Sequence, residues 1–242
     1  MKRFKIDFSF ILLLGIIALS PKQFIILKLL FCLLIHELGH LFFVFLFHYK
    51  IDSLKLSLFG FFLKLTPTRT ECINDIFLYL GGILFNAICF FIIPDPTIKK
   101  ISLLLILFNS LPVYPLDGFN TLQSLFSYFF PYRIVLKVMG IFGMLFSLAF
   151  VLCCVGFKMD VFVICNAFYL FFYSLSYYFQ EGIYFQKFML EKTLHPFSYP
   201  LKSISFRERI EYCFYKYHTI QMKVGNKIIS EEELFQLKSR FK

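Results

Sequence analysis

The stretch Leu33-Leu34-Ile35-His36-Glu37-Leu38-Gly39-His40-Leu41-Phe42-Phe43-Val44 decides the reading of this chain. It lies within an apolar run over 23–48 and places three ionisable side chains within five positions of one another. A run of that length suits a helix crossing a bilayer, which needs roughly 20 mostly apolar residues. A charge near the centre of such a helix costs about 2.5–3.5 kcal/mol on insertion scales, so ionisable groups persist there where a functional partner holds them. On a helix, positions four apart share a face, and His36 and His40 can therefore offer two imidazoles to one Zn²⁺. Glu37 follows the first histidine, where a carboxylate can take a proton from a water held by the metal. Gly39 carries no side chain and admits a second helix, or a substrate, to close range.

A zinc ion that performs chemistry keeps three protein ligands and one open position. Residues 41–50 offer only His48 as a further histidine. Asp117 is the better candidate, in the proline-rich segment Leu111-Pro112-Val113-Tyr114-Pro115-Leu116-Asp117-Gly118. The same aspartate also suits a helix N-cap. Asp95 and Asp160 fall in connections outside the bilayer. The expected cofactor is one Zn²⁺ per chain.

Working outward, the pattern predicts an α-helical integral membrane protein with about six transmembrane helices. The spans fall at about 8–20, 23–48, 74–93, 101–130 (broken by the prolines), 134–157 and 161–184. Prolines at that depth free backbone groups that only protein or trapped water can satisfy, so the broken span should line a cavity. Residues 50–66 alternate apolar with polar and predict a short membrane-associated β-hairpin. Its unpaired edge could hold an extended substrate by strand addition. The membrane-embedded core would cover 1–185, and 186–242 would form a small cytoplasmic α+β appendage. There, 220–224, Gly225-Asn226 and 227–229 read as a hairpin, and Ser230-Glu231-Glu232-Glu233 as a capping box opening a helix.

Composition agrees. Of 242 residues, 59% are hydrophobic and 37 are Phe, against about 45–50% apolar in soluble domains; mean hydropathy is +0.73. The net charge of +10 gathers near the N-terminus and in the tail, beside membrane segments. Basic flanks of this kind follow the positive-inside bias and bind anionic lipid, so nucleic acid is not an expected partner. Both termini are expected in the cytoplasm of a multi-pass bacterial membrane protein. Met1-Lys2-Arg3-Phe4-Lys5 has the look of a signal peptide but lacks a small-residue cleavage site, and reads as the start of a retained first helix. Seven cysteines without Cys-x-x-Cys spacing argue against a disulfide framework or a cysteine zinc site.

Two other readings compete with metal-assisted hydrolysis. A non-hydrolytic zinc-binding scaffold or sensor needs the ligands but not Glu37, whose presence favours hydrolysis. A metal transporter would carry ligands along several spans, whereas His48, His195 and His218 lie at or beyond the membrane edges.

Three motifs together resemble the site-2 protease family of intramembrane zinc metalloproteases, nearest its stage IV sporulation protease FB branch. They are His36-Glu37-Leu38-Gly39-His40, then Gly81-Gly82-Ile83-Leu84-Phe85-Asn86, then Asn109-Ser110-Leu111-Pro112-Val113-Tyr114-Pro115-Leu116-Asp117-Gly118. The resemblance covers about 1–185. It implies that Asp117 is the third zinc ligand and that Asn109 and Asn86 line the site toward substrate or oxyanion, interhelical hydrogen bonding being the alternative for either. It also implies a membrane-associated substrate such as a pro-sigma or anti-sigma factor, membrane inhibitor or regulator proteins, and a role in sporulation at the forespore membrane. The chain departs from the family at Gly82, where proline is usual, and at Phe119, where glycine is usual and a phenyl ring could narrow the site. The 186–242 tail is also too short for the paired CBS motifs of many sporulation proteases.

Overall fold

The computed structural model describes residues 4–6, 23–57, 60–65, 71–194, 199–205, 210–224 and 227–240. The expected span at 8–20 and the turn Gly225-Asn226 lie outside the described residues. The chain divides into two compact units, one of 1–68 with 77–111, the other of 69–76 with 112–242.

In the first unit, β1 (Phe4–Ile6), β2 (Ile51–Ser57) and β3 (Gly60–Leu65) form a sheet in that order. The alternation over 50–66 yields the expected antiparallel pair, with Leu54 opposite Leu63. A third strand was not foreseen: β1 runs parallel to β2, with Phe4 opposite Leu54. Residues 4–6 thus extend as a strand. The helices here are α1 (Gln23–Leu46), the body of α2 (Cys72–Ile92) and α3 (Pro96–Asn109). Helix α1 stops where His48 turns to φ 56°. The amides of His48 and Tyr49 bond back to the carbonyls of Phe45 and Val44 at 3.2 and 2.9 Å, a closure that satisfies the last carbonyls of a helix. His48 is therefore the residue that ends α1. Asp95 caps α3, accepting from the amides of Thr97 and Ile98 at 2.9 Å each. Pro96 takes the first helical position, where its missing N–H is no loss. Lys28 of α1 reaches the same carboxylate at 2.6 Å and holds it below the usual carboxylate range.

The second unit holds the first turn of α2, then α4 (Asp117–Phe129), α5 (Tyr132–Gly156), α6 (Val161–Phe179) and α7 (Glu181–Leu194). It continues through β4 (Leu201–Ser205), a 3₁₀ turn (Ile210–Cys213), β5 (Thr219–Val224), β6 (Lys227–Ser230) and α8 (Glu231–Arg240). The hairpin of β5 and β6 and the helix after it fall where the sequence places them. The amide of Ser230 donates to the Glu233 carboxylate at 3.0 Å and the Glu233 amide to the Ser230 hydroxyl at 3.3 Å, the reciprocal bonds of a capping box. Strand β4, parallel to β5, was not foreseen. One buried cluster joins Phe119, Leu136, Met139, Tyr177 and Phe185 of the helices to Phe214, Ile220, Met222 and Leu234 of the tail. The carbonyl of Phe214 also accepts from the amide of Tyr132 at 2.8 Å.

Among the described residues, three helices are long and apolar enough to cross a membrane: Gln23–Leu46, Cys72–Ile92 and Tyr132–Gly156, with a shorter apolar helix over Val163–Phe179. Two expected spans are divided. The one at 101–130 becomes α3 and α4, separated by the proline segment, and the one at 161–184 ends at Phe179 before α7 begins. Phe24, Phe91 and Phe157 are each about three-quarters exposed, at 74, 78 and 78%. Outward phenyl rings on such helices suit lipid contact, since water-soluble monomers rarely expose large apolar patches.

Candidate metal centre

Helices α1 and α2 touch through backbone. A Cβ on Gly81 would lie 2.6 Å from the Gly39 carbonyl oxygen, and one on Gly39 would run into the Gly81 carbonyl. No residue but glycine fits on either side. The second helix that Gly39 was expected to admit is therefore α2. The contacts run antiparallel: 39 meets 81, 40 meets 78, and 36 meets 82 and 86. Leu78, Gly82 and Asn86 recur every four residues and so share the face of α2 that meets the two histidines.

That face positions each imidazole. His40 Nδ1 lies 2.8 Å from the Leu78 carbonyl oxygen. A carbonyl only accepts, so Nδ1 carries the proton and Nε2 keeps its lone pair. His36 is buried, at 5% exposure, and its ring lies flat on Gly82, where a Cβ would occupy the space of the ring itself. Any side chain at position 82 would displace His36. Asn86, fully buried, brings its amide nitrogen to 3.1 Å from His36 Nδ1. The two Nε2 atoms then face each other at 3.3 Å, with the rings edge to face at 83°. Two nitrogens bound at 2.0–2.1 Å to one tetrahedral zinc stand about 3.3–3.4 Å apart, so the pair has the separation a shared ion needs.

Asp117 is the first residue of α4. The N-cap is Leu116, and no side chain caps this helix, so the N-cap reading of Asp117 does not hold. A carboxylate in a helix's first turn is favoured by the dipole, which stabilises its ionised, metal-binding form. The segment before it turns on the Leu116 amide to Val113 carbonyl bond at 2.8 Å. It contains a cis Tyr114–Pro115 bond, and the Tyr114 carbonyl accepts from the Ser174 hydroxyl at 3.2 Å. Phe119 is wholly buried against Tyr114 and Tyr177, at centroid distances of 5.5 and 5.0 Å. Gly143 makes room for it, since a Cβ there would come within 3.0 Å of the ring. The Phe119 ring fills this core.

His36 and His40, both in the first unit, offer one ring nitrogen each to a shared ion, and Asp117, in the second unit, offers a carboxylate. Two imidazole nitrogens and one carboxylate oxygen form a donor set that zinc accepts with a position to spare. The donors present fit the ion the motif calls for. Glu37 is half-buried beside His36 on α1. Asn109, the last residue of α3, donates its amide to the Leu105 carbonyl at 3.1 Å, within its own helix. Sequence reasoning missed the Leu78 carbonyl and the Gly82 hollow. The adjacent glycines were the available signal, but the partner they admit is visible only once α1 and α2 are paired.

No family model and no curated protein matches the chain. Among solved structures, the fold is similar to that of a site-2 protease from Methanocaldococcus jannaschii, with a TM-score of 0.52 and 20% sequence identity. The likeness covers 72% of this chain and 89% of that one.

Proposed function

We propose that the chain is a zinc-dependent intramembrane endopeptidase of the site-2 protease type. The observation that carries this reading is the pair of His36 and His40 ring nitrogens facing each other at 3.3 Å, with Glu37 next to the first of them in an apolar helix. One zinc ion per chain would be held by His36, His40 and Asp117 and would supply Lewis-acid chemistry, acidifying water and polarising a carbonyl. Glu37 removes the proton from the attacking water and returns it to the departing amine, so it ends the cycle as it began. Asn109 faces substrate or oxyanion once its bond to its own helix opens. The apolar walls of α1 and α2 keep bulk water from the peptide bond.

An extended substrate segment needs a free strand edge. Strand β2 is paired on both sides, by β1 and β3, so the outer edge of Gly60–Leu65 is the place for addition. Six spans with both termini in the cytoplasm complete the proposed topology, with 186–242 as a cytoplasmic appendage. The substrate is a membrane-associated pro-sigma or anti-sigma factor, cut during regulated proteolysis such as sporulation, with membrane inhibitor proteins as partners.

The test is cleavage of a membrane-tethered candidate by the purified chain, wild type against Glu37→Gln. Removing a positioned general base lowers the rate by about 10²–10⁴-fold. Zinc should stay bound. Cleavage undiminished by the change would contradict the mechanism.

A further inference from the structure

The hydrogen-bond chain around His36 has a direction, and that direction conflicts with metal binding. The Asn86 amide nitrogen faces His36 Nδ1 at 3.1 Å, and an amide nitrogen only donates. His36 Nδ1 must therefore accept, which puts the ring's proton on Nε2, the atom that faces His40 Nε2 at 3.3 Å. In this state the ligand atom of His36 is occupied by hydrogen. The other end of the same side chain is also anomalous. Asn86 Oδ1 is buried with no hydrogen-bond partner among the described residues, and an unmet buried acceptor is destabilising.

We propose that Asn86 is a positioning residue that selects the tautomer of His36, its carboxamide turning by half a revolution when zinc is loaded. After the turn, Oδ1 accepts a hydrogen bond from Nδ1–H, and Nε2 presents its lone pair. One proton moves through solvent from Nε2 to Nδ1 of the same neutral ring, so His36 releases none. The Leu78 carbonyl already serves His40 in this way, and Asn86 supplies the matching acceptor two turns further along the same face of α2. Full burial keeps Asn86 away from any substrate, which separates this role from contact with the oxyanion. Partners of this kind typically change metal affinity by about 10–100-fold when removed.

The inference rests on the zinc reading, and the experiment separates the two. The full-length chain in nanodiscs is stripped of metal and titrated with Zn²⁺ against a chelating fluorophore. Asn86→Asp keeps only acceptors at the position, whereas Asn86→Leu keeps the approximate volume and no polarity. Asn86→Leu should bind zinc about 10–100-fold more weakly, and Asn86→Asp should stay within about threefold of wild type. Equal binding by Asn86→Leu, or weaker binding by Asn86→Asp than by Asn86→Leu, would overturn the role while leaving the zinc reading intact. Wild type that binds no zinc would remove both. A second measurement needs no variant: nitrogen-15 histidine NMR of the wild-type chain should show the His36 proton on Nε2 without metal and on Nδ1 with zinc. A proton still on Nε2 in the zinc-loaded chain would overturn the proposal.

Discussion

Two groups of polar side chains, Lys192 with Glu231 and His36 with His40, differ in what their hydrogen bonds leave open. The Lys192 ammonium has three donors and meets three acceptors: the carbonyls of Tyr215 and His218 at 2.9 and 2.8 Å, and the Glu231 carboxylate at 2.5 Å. Burial lowers the lysine's pKa and raises the glutamate's, and the contact between them offsets that penalty. Nothing in the group points toward a missing partner. The histidines are arranged the other way: their outer nitrogens meet Leu78 and Asn86, and their inner nitrogens face each other. A closed group holds a fold together, whereas two ring nitrogens turned toward each other at 3.3 Å have the spacing to share a cation.

The comparison breaks if the two groups respond alike to mutation. Glu231→Ala leaves the Lys192 charge buried without its counter-ion, a change that typically costs about 3–5 kcal/mol. Thermal unfolding should show this as a large drop in midpoint while zinc affinity of the folded chain is unchanged. A parallel loss of zinc affinity would break the comparison. A smaller effect is expected at the helix contact. Gly39→Ala forces a methyl group onto the Gly81 carbonyl, and overpacking of that kind costs about 1–3 kcal/mol. Because the contact sets the partners of both histidines, the cost should appear in chelator competition for zinc. Gly156→Ala is the control, since no atom lies within 4 Å of a Cβ there. The smallest effect belongs to Ser230→Ala, which removes the α8 cap and should cost about 1 kcal/mol of stability with no change in metal binding.

What could be read in advance was local. His36, Glu37 and His40 need only the 3.6-residue turn to share a face, and Ser230 and Glu233 need only three residues to cap a helix. Asp117 stood out as the remaining candidate for a third ligand, in a proline-broken apolar run, and the resemblance implied the same role. Pairings over long separations were not legible. Strand β1 meets β2 about fifty residues later, and no pattern in Phe4-Lys5-Ile6 announces it. Asn86 belonged to a recognised motif, yet its bond to His36 follows from how α1 and α2 pack. The end of α6 at Phe179 coincides with Gln180-Glu181-Gly182, a polar break that a span drawn over 161–184 passes through.

Metal analysis of the purified chain, wild type beside Asp117→Ala, tests the central claim most directly. One zinc per chain is expected in the wild type, with a loss of most of it in the variant, because two imidazoles alone leave the ion a ligand short. A wild-type chain without stoichiometric zinc, or a variant that keeps its full share, would contradict the account.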